Sequence, residues 1–186
     1  MKIMESSFNV EGSLSNNLEK VVVEYCGTVG SVEKRQALLT FLQNNDCREV
    51  VAERVDGDNV AYAFAQAAIW NHVDILKELL NRGLNVNIEN EFGWTALLCA
   101  CDCGNEESAV LLLQNNANVD FQDSSGWTAL ISASNWDRKN IVQLLLDHNA
   151  DVDLKNNEGK TALDVAKTGE FKEMLQNHVN TSYVLK

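Results

Sequence analysis

Three heptapeptides, EFGWTAL, SSGWTAL and NEGKTAL, place their glycines at Gly93, Gly126 and Gly159, 33 residues apart each time. The columns behind them keep the register: Thr95, Thr128 and Thr161, then Leu97, Leu130 and Leu163, then Ala100, Ala133 and Ala166, then Ala109, Val142 and Leu175. This period constrains the fold more than any composition does. A unit of 33 residues is one supersecondary element that cannot bury its apolar face alone, so it must stack on copies of itself. Stepping back one period from Leu97 and Ala100 gives Phe64 and Ala67, and four units are expected at about 57–89, 90–122, 123–155 and 156–180.

Each column has a physical reading. Glycine at 93, 126 and 159 suits a tight turn that needs a positive φ, and Asn90 or Asp123 three residues earlier suits the same turn through side-chain to backbone bonding. Ile75, Leu76, Leu79 and Leu80, like Ile141, Val142, Leu145 and Leu146, have the spacing of one buried helix face. These helices should end near Leu80, Leu113 and Leu146. Three residues on stand Gly83, Asn116 and Asn149, residue types that tolerate a left-handed cap.

The period, the Gly-x-Thr-x-Leu opening and the following LLL stretch resemble the ankyrin repeat over about two thirds of the chain. The resemblance implies an all-α, ankyrin-type solenoid of helix-turn-helix repeats with β-turn fingers. The family's Thr-Pro-Leu-His reads Thr-Ala-Leu-Leu at Thr95, Thr-Ala-Leu-Ile at Thr128 and Thr-Ala-Leu-Asp at Thr161, and the chain has no proline. Alanine is a good helix former there but lacks the preset angle of proline. Asn87, in the context LNVN, resembles asparagines that are hydroxylated in ankyrin proteins.

Ahead of the repeats, residues 1–15 read as a mobile leader and 16–56 as a degenerate helical cap, with helices expected from Asn17 to Cys26 and from Ser31 to Asn45. LTFLQNN at Leu39–Asn45 is similar to VLLLQNN at Val110–Asn116. The first unit is irregular, with Val60 at the glycine place and Tyr62 at the threonine place. Gln176 and Asn177 replace the leucine run of the last, which predicts a helix with a polar outer face and a tail at 181–186.

A net charge of −12 argues against nucleic acid and anionic membrane as partners. No stretch is long and apolar enough to span a bilayer, and a cytoplasmic protein, monomeric when free, is expected. Cys99, Cys101 and Cys103 in CACDC invite a metal or redox reading, but their spacing is not that of a zinc site and neighbouring cysteines on a helix point apart. Cys99 and Cys101 fall in packing columns; Cys103 falls in an outward one. His72 follows Asn71 where the family has a Gly-His pair, and His148 sits on a loop, so no catalytic set assembles. No cofactor, metal or enzyme activity is expected.

Surface recognition remains. In ankyrin-like stacks the turn tips and the outward side of the first helix line a concave face that partners dock on. One tip column holds Ala61, Trp94, Trp127 and Lys160, and another holds Asn59, Phe92, Ser125 and Glu158. The helix column holds Trp70, Cys103, Trp136 and Gly169, beside Ile69, Asp102, Asn135 and Thr168. Trp70 and Trp136 have no core to enter there; Trp94 and Trp127 have two readings, bracing the neighbouring turn or gripping a partner. Asp58, Glu91 and Asp102 add an acidic rim, which favours a partner segment with apolar anchors and basic flanks. The expected function is an adaptor or scaffold binding another protein on its Trp-rich face, with an inhibitory subunit that occludes an enzyme as the alternative.

Overall fold

A computed structural model describes residues 58–184, and the expected leader and degenerate cap lie outside the described residues. Within them run eight helices: α1 Asp58–Ile69, α2 Val73–Asn81, α3 Ala96–Cys103, α4 Glu106–Gln114, α5 Ala129–Asn135, α6 Lys139–Asp147, α7 Ala162–Val165 and α8 Gly169–Val184. They pack in two rows. The first helices stack as α1 on α3, α3 on α5 and α5 on α7, and the second helices as α2 on α4 and α4 on α6. One continuous core runs between the rows, from Phe64, Ile75 and Leu79 through Leu97 and Leu112 to Leu130, Ile141 and Leu175. This is the all-α repeat solenoid that the resemblance implied.

The helices begin where the threonine column stands. Thr95, Thr128 and Thr161 are extended N-caps whose hydroxyls accept from the backbone N–H of Leu98, Ile131 and Asp164. Thr161 closes a full capping box with Asp164, and the helix behind it is only one turn long. The second helices end in the expected column, with φ of +88° at Gly83, +63° at Asn116 and +61° at Asn149. A second positive-φ column, Asn71, Gly104 and Asp137, reverses the chain between the two helices of a unit.

The fingers are closed by side chains. Asn90 Oδ1 accepts from the backbone N–H of Phe92 and Trp94, Asp123 Oδ1 from Ser125 and Trp127, and Asn156 Oδ1 from Glu158 and Lys160, at 2.8–3.0 Å. Proline is therefore not needed to fix the turn. Over its described residues the first unit forms no such finger: α1 is helical through Val60 and Tyr62, and Ala61, expected at a tip, is buried at 1% exposure. The run VAYAFAQAA carries no glycine or Asx turn signal and is rich in the best helix former, so helix wins there. At the far end α8 continues to Val184, beyond residue 180, with Phe171 and Leu175 buried and Lys172, Gln176 and Asn177 exposed.

Candidate functional site

The tryptophan columns do not place four equivalent side chains. Trp70 and Trp136 are 51% and 53% exposed and stand just past the last helical residues Ile69 and Asn135, in the turns rather than on the helices. Trp94 is 39% exposed on the finger of the second unit. Trp127, in the same column, is half-buried and packs on the core.

Their polar ends differ as well. The Trp70 indole donates to Gln66 Oε1 of its own helix at 3.1 Å. The Trp136 indole donates across the stack to Asp102 Oδ1 at 2.8 Å, and the same oxygen accepts from Ser132 Oγ at 2.6 Å. Asp102 is a half-buried bridge between α3 and the end of α5. The Lys167 ammonium stands 5.4 Å from the Trp136 ring centroid.

Between the second and third units these residues surround a cleft of about 340 Å³. Its aromatic lining is Trp94, Trp127 and Trp136; Asp102, Asp123, Ser125 and Asn135 are its half-buried or exposed polar members. Leu98 and Ser132, each 5% exposed, complete it. The fingers on either side of it are less closely tied than those at the next junction. There Asn157 ties the fingers together, its backbone N–H donating to Ser125 O and its side chain to Ser124 O, both at 3.0 Å. Ser124 holds that place one unit earlier, and neither its backbone N–H nor its hydroxyl makes the corresponding bond.

The remaining expected residues lie elsewhere. Trp70, Ile69, Cys103, Glu91 and Phe92 do not line the cleft. Phe92 is 61% exposed on its finger and Glu91 is exposed beside it. Ile69, expected on the outward side next to Trp70, instead lies half-buried against the core. The reason is a clamp that the repeat register did not show: Asn105 Nδ2 donates to the carbonyls of Ala68 and Ile69 at 2.8 and 2.7 Å, drawing the end of α1 onto the next unit. Asn71 answers it by accepting from Ser108 N and Oγ. Asn87 is likewise employed between units, accepting from the backbone N–H of Asn118 at 2.7 Å.

Sequence reasoning did not place Leu98, Ser132 and Asp123 at the cleft. Asp123 was accounted for by its turn alone, although Asn90 and Asn156 close the same turn without a charge. That surplus charge was the available signal. The cysteines stay apart from this chemistry. Cys99 and Cys101 are buried core residues; burial, with the nearby thiols and Asp102, pushes the Cys99 thiol up to about 12 and raises Cys101 as well. Cys103 is exposed, yet partial burial and Asp102 raise its pKa against the opposing pull of Arg138. Among the described residues no helix is long and apolar enough to cross a membrane.

A family model for ankyrin repeats matches this chain in three overlapping copies, over residues 25–123, 62–156 and 111–181. A curated relative, "Ankyrin repeat, SAM and basic leucine zipper domain-containing protein 1" of Notamacropus eugenii, is 40% identical over 50 residues. That stretch is 27% of this chain and 10% of the relative, so the likeness covers a small part of either protein.

Proposed function

The chain belongs to the ankyrin-repeat family, whose repeats are typically non-enzymatic modules that bind other proteins, and from that premise we propose that it acts as an adaptor or scaffold. Its partner docks on the tryptophan-bearing face, centred on the junction of the second and third units. The observation that supports this reading most is the cleft itself, where three indoles and two carboxylates converge. Large aromatics held at a rim and left open to solvent are the usual anchors of a protein interface. Trp70, Phe92 and Glu91 extend the surface beyond the cleft, giving a partner segment further apolar and acidic contacts. The free cysteines of the repeats suit the reducing cytoplasm.

The test is affinity capture with the full chain, beside the Trp94→Ala/Trp136→Ala double variant and Trp70→Ala. Capture of a discrete partner is expected to fall with the double variant by on the order of 30-fold or more, since a truncated anchor costs about 2 kcal/mol. The far-UV spectrum should be unchanged. Capture that survives the double variant would place the interface elsewhere.

A further inference from the structure

We propose that the cleft between the second and third units is a receptor for one basic side chain, arginine or lysine, presented by the partner. The inference rests on the reading of this face as the binding surface and names what its centre recognises. Size is the first argument. A volume of about 340 Å³ is at the small end of ligand pockets, room for one side chain rather than for a helix.

Chemistry is the second. Asp102 and Asp123 each spend one carboxylate oxygen, Oδ1, on bonds internal to the fold. The turn does not need a negative charge, and the other units do without one at the place of Asp102. Asn90 and Asn156 close the equivalent turns as neutral amides, and the Asp102 column is filled by Ile69, Asn135 and Thr168 in the other units. Both surplus charges therefore fall on the same cleft, together with the three indole rings. An apolar occupant would strip water from two carboxylates and return no counter-charge. A guanidinium or ammonium group answers them and also gains from the ring faces. Trp136 already receives one cation: Lys167, which is not part of the cleft lining, stands 5.4 Å from its ring centre. The net charge of −12 would draw such a segment in from a distance.

The experiment titrates the full chain with N-acetyl-argininamide, N-acetyl-lysinamide and its trimethylated form, with the neutral citrulline and norleucine amides as controls, and follows the four indole N–H resonances. Saturable shifts are expected at Trp94, Trp127 and Trp136 with a cationic probe, while Trp70 serves as the internal reference. Whichever cationic probe binds tighter identifies the natural side chain. Asp123→Asn is the decisive variant, because Asn at this place keeps the finger closed; its melting temperature should match wild type and its affinity should fall about five-fold, more at low salt. Equal binding of the neutral probes, shifts spread equally to Trp70, or an unchanged affinity in Asp123→Asn would overturn the proposal. Should no probe bind while the Trp94/Trp136 variant still loses its partner, the basic-side-chain inference falls and the binding surface stands.

Discussion

Substitution of the finger glycines separates backbone strain from contact at the junction, and the structure supplies the magnitudes. Gly93 and Gly126 have the same left-handed backbone, with φ of +72° and +75°. A methyl group at Gly93 would meet nothing closer than 3.9 Å. At Gly126 it would come within 2.8 Å of Asn157 Oδ1 and 2.9 Å of both Asn156 Cα and Asn157 N, mostly backbone that cannot step aside alone. Gly93→Ala should therefore cost about 1 kcal/mol, the price of placing an L-residue at positive φ. Gly126→Ala carries the same term, plus the parting of two fingers: loss of the Asn157 N–H to Ser125 O bond, about 1 kcal/mol, and overpacking of at least a further 1 kcal/mol. The sum is about 3 kcal/mol. Thermal melting should register a fall of roughly 2–4 °C for Gly93→Ala and roughly 6–12 °C for Gly126→Ala in a protein of this size. Both glycines sit in interior units, so fraying at the end of the stack does not enter the comparison. Equal losses at the two sites would refute the reasoning, since the fingers would then open freely and Asn157 would not be fastening them.

Three further outcomes test other parts of the structure. Asn71 holds φ at +55° and accepts from Ser108 N and Oγ, so in urea denaturation Asn71→Gly should lose about 1–2 kcal/mol from the bonds, and Asn71→Ala about 1 kcal/mol more from the backbone; identical losses would mean that the turn relaxes. The backbone N–H and then the hydroxyl of Thr161 hold the Asp164 carboxyl below the ordinary carboxylate range, so what its capping box contributes is fully present above that range and fades as pH falls through the lowered value. A carboxyl-carbon titration should find a depressed midpoint that rises in Thr161→Ala; no rise would discard the hydroxyl's part. At about pH 8 iodoacetamide should alkylate Cys103 in the native protein, more slowly than a free thiol, and leave Cys99 and Cys101 until unfolding.

What the sequence revealed follows from what a period measures. It reports the place of a residue within its unit, and so the fingers, both helix rows and the left-handed caps at Gly83, Asn116 and Asn149 could be read directly. It does not report which side chain crosses to the next unit, because that depends on reach and rotamer. Asp102 meeting Trp136, Asn105 clamping Ile69 and Asn157 tying Ser124 are all of this kind. The cleft was half legible for the same reason. Its indoles were visible as columns, whereas the space between them depends on how closely neighbouring fingers are tied, which a period does not report. The first unit escaped in a different way. Its register predicted a tip at Ala61, but without a turn residue to oppose it the alanine-rich run stays helical.

Trp70 and Trp136 occupy one column and are almost equally exposed, yet as proposed anchors they would not be equal. An exposed indole loses rotamer freedom when a partner closes on it, and that loss is subtracted from affinity. Trp136 has already paid much of it, being bonded through Nε1 to Asp102 across two units and flanked by Lys167. Trp70 is tethered to Gln66 of its own helix. A ring fixed between units also moves with both of them, so binding at Trp136 would stiffen the junction that Asp102 spans, whereas binding at Trp70 would load a single helix end. On the proposed reading the weight of recognition would therefore fall at the second junction, where the bonded indole of Trp136, the surplus charge of Asp123 and the finger of Trp94 occur together.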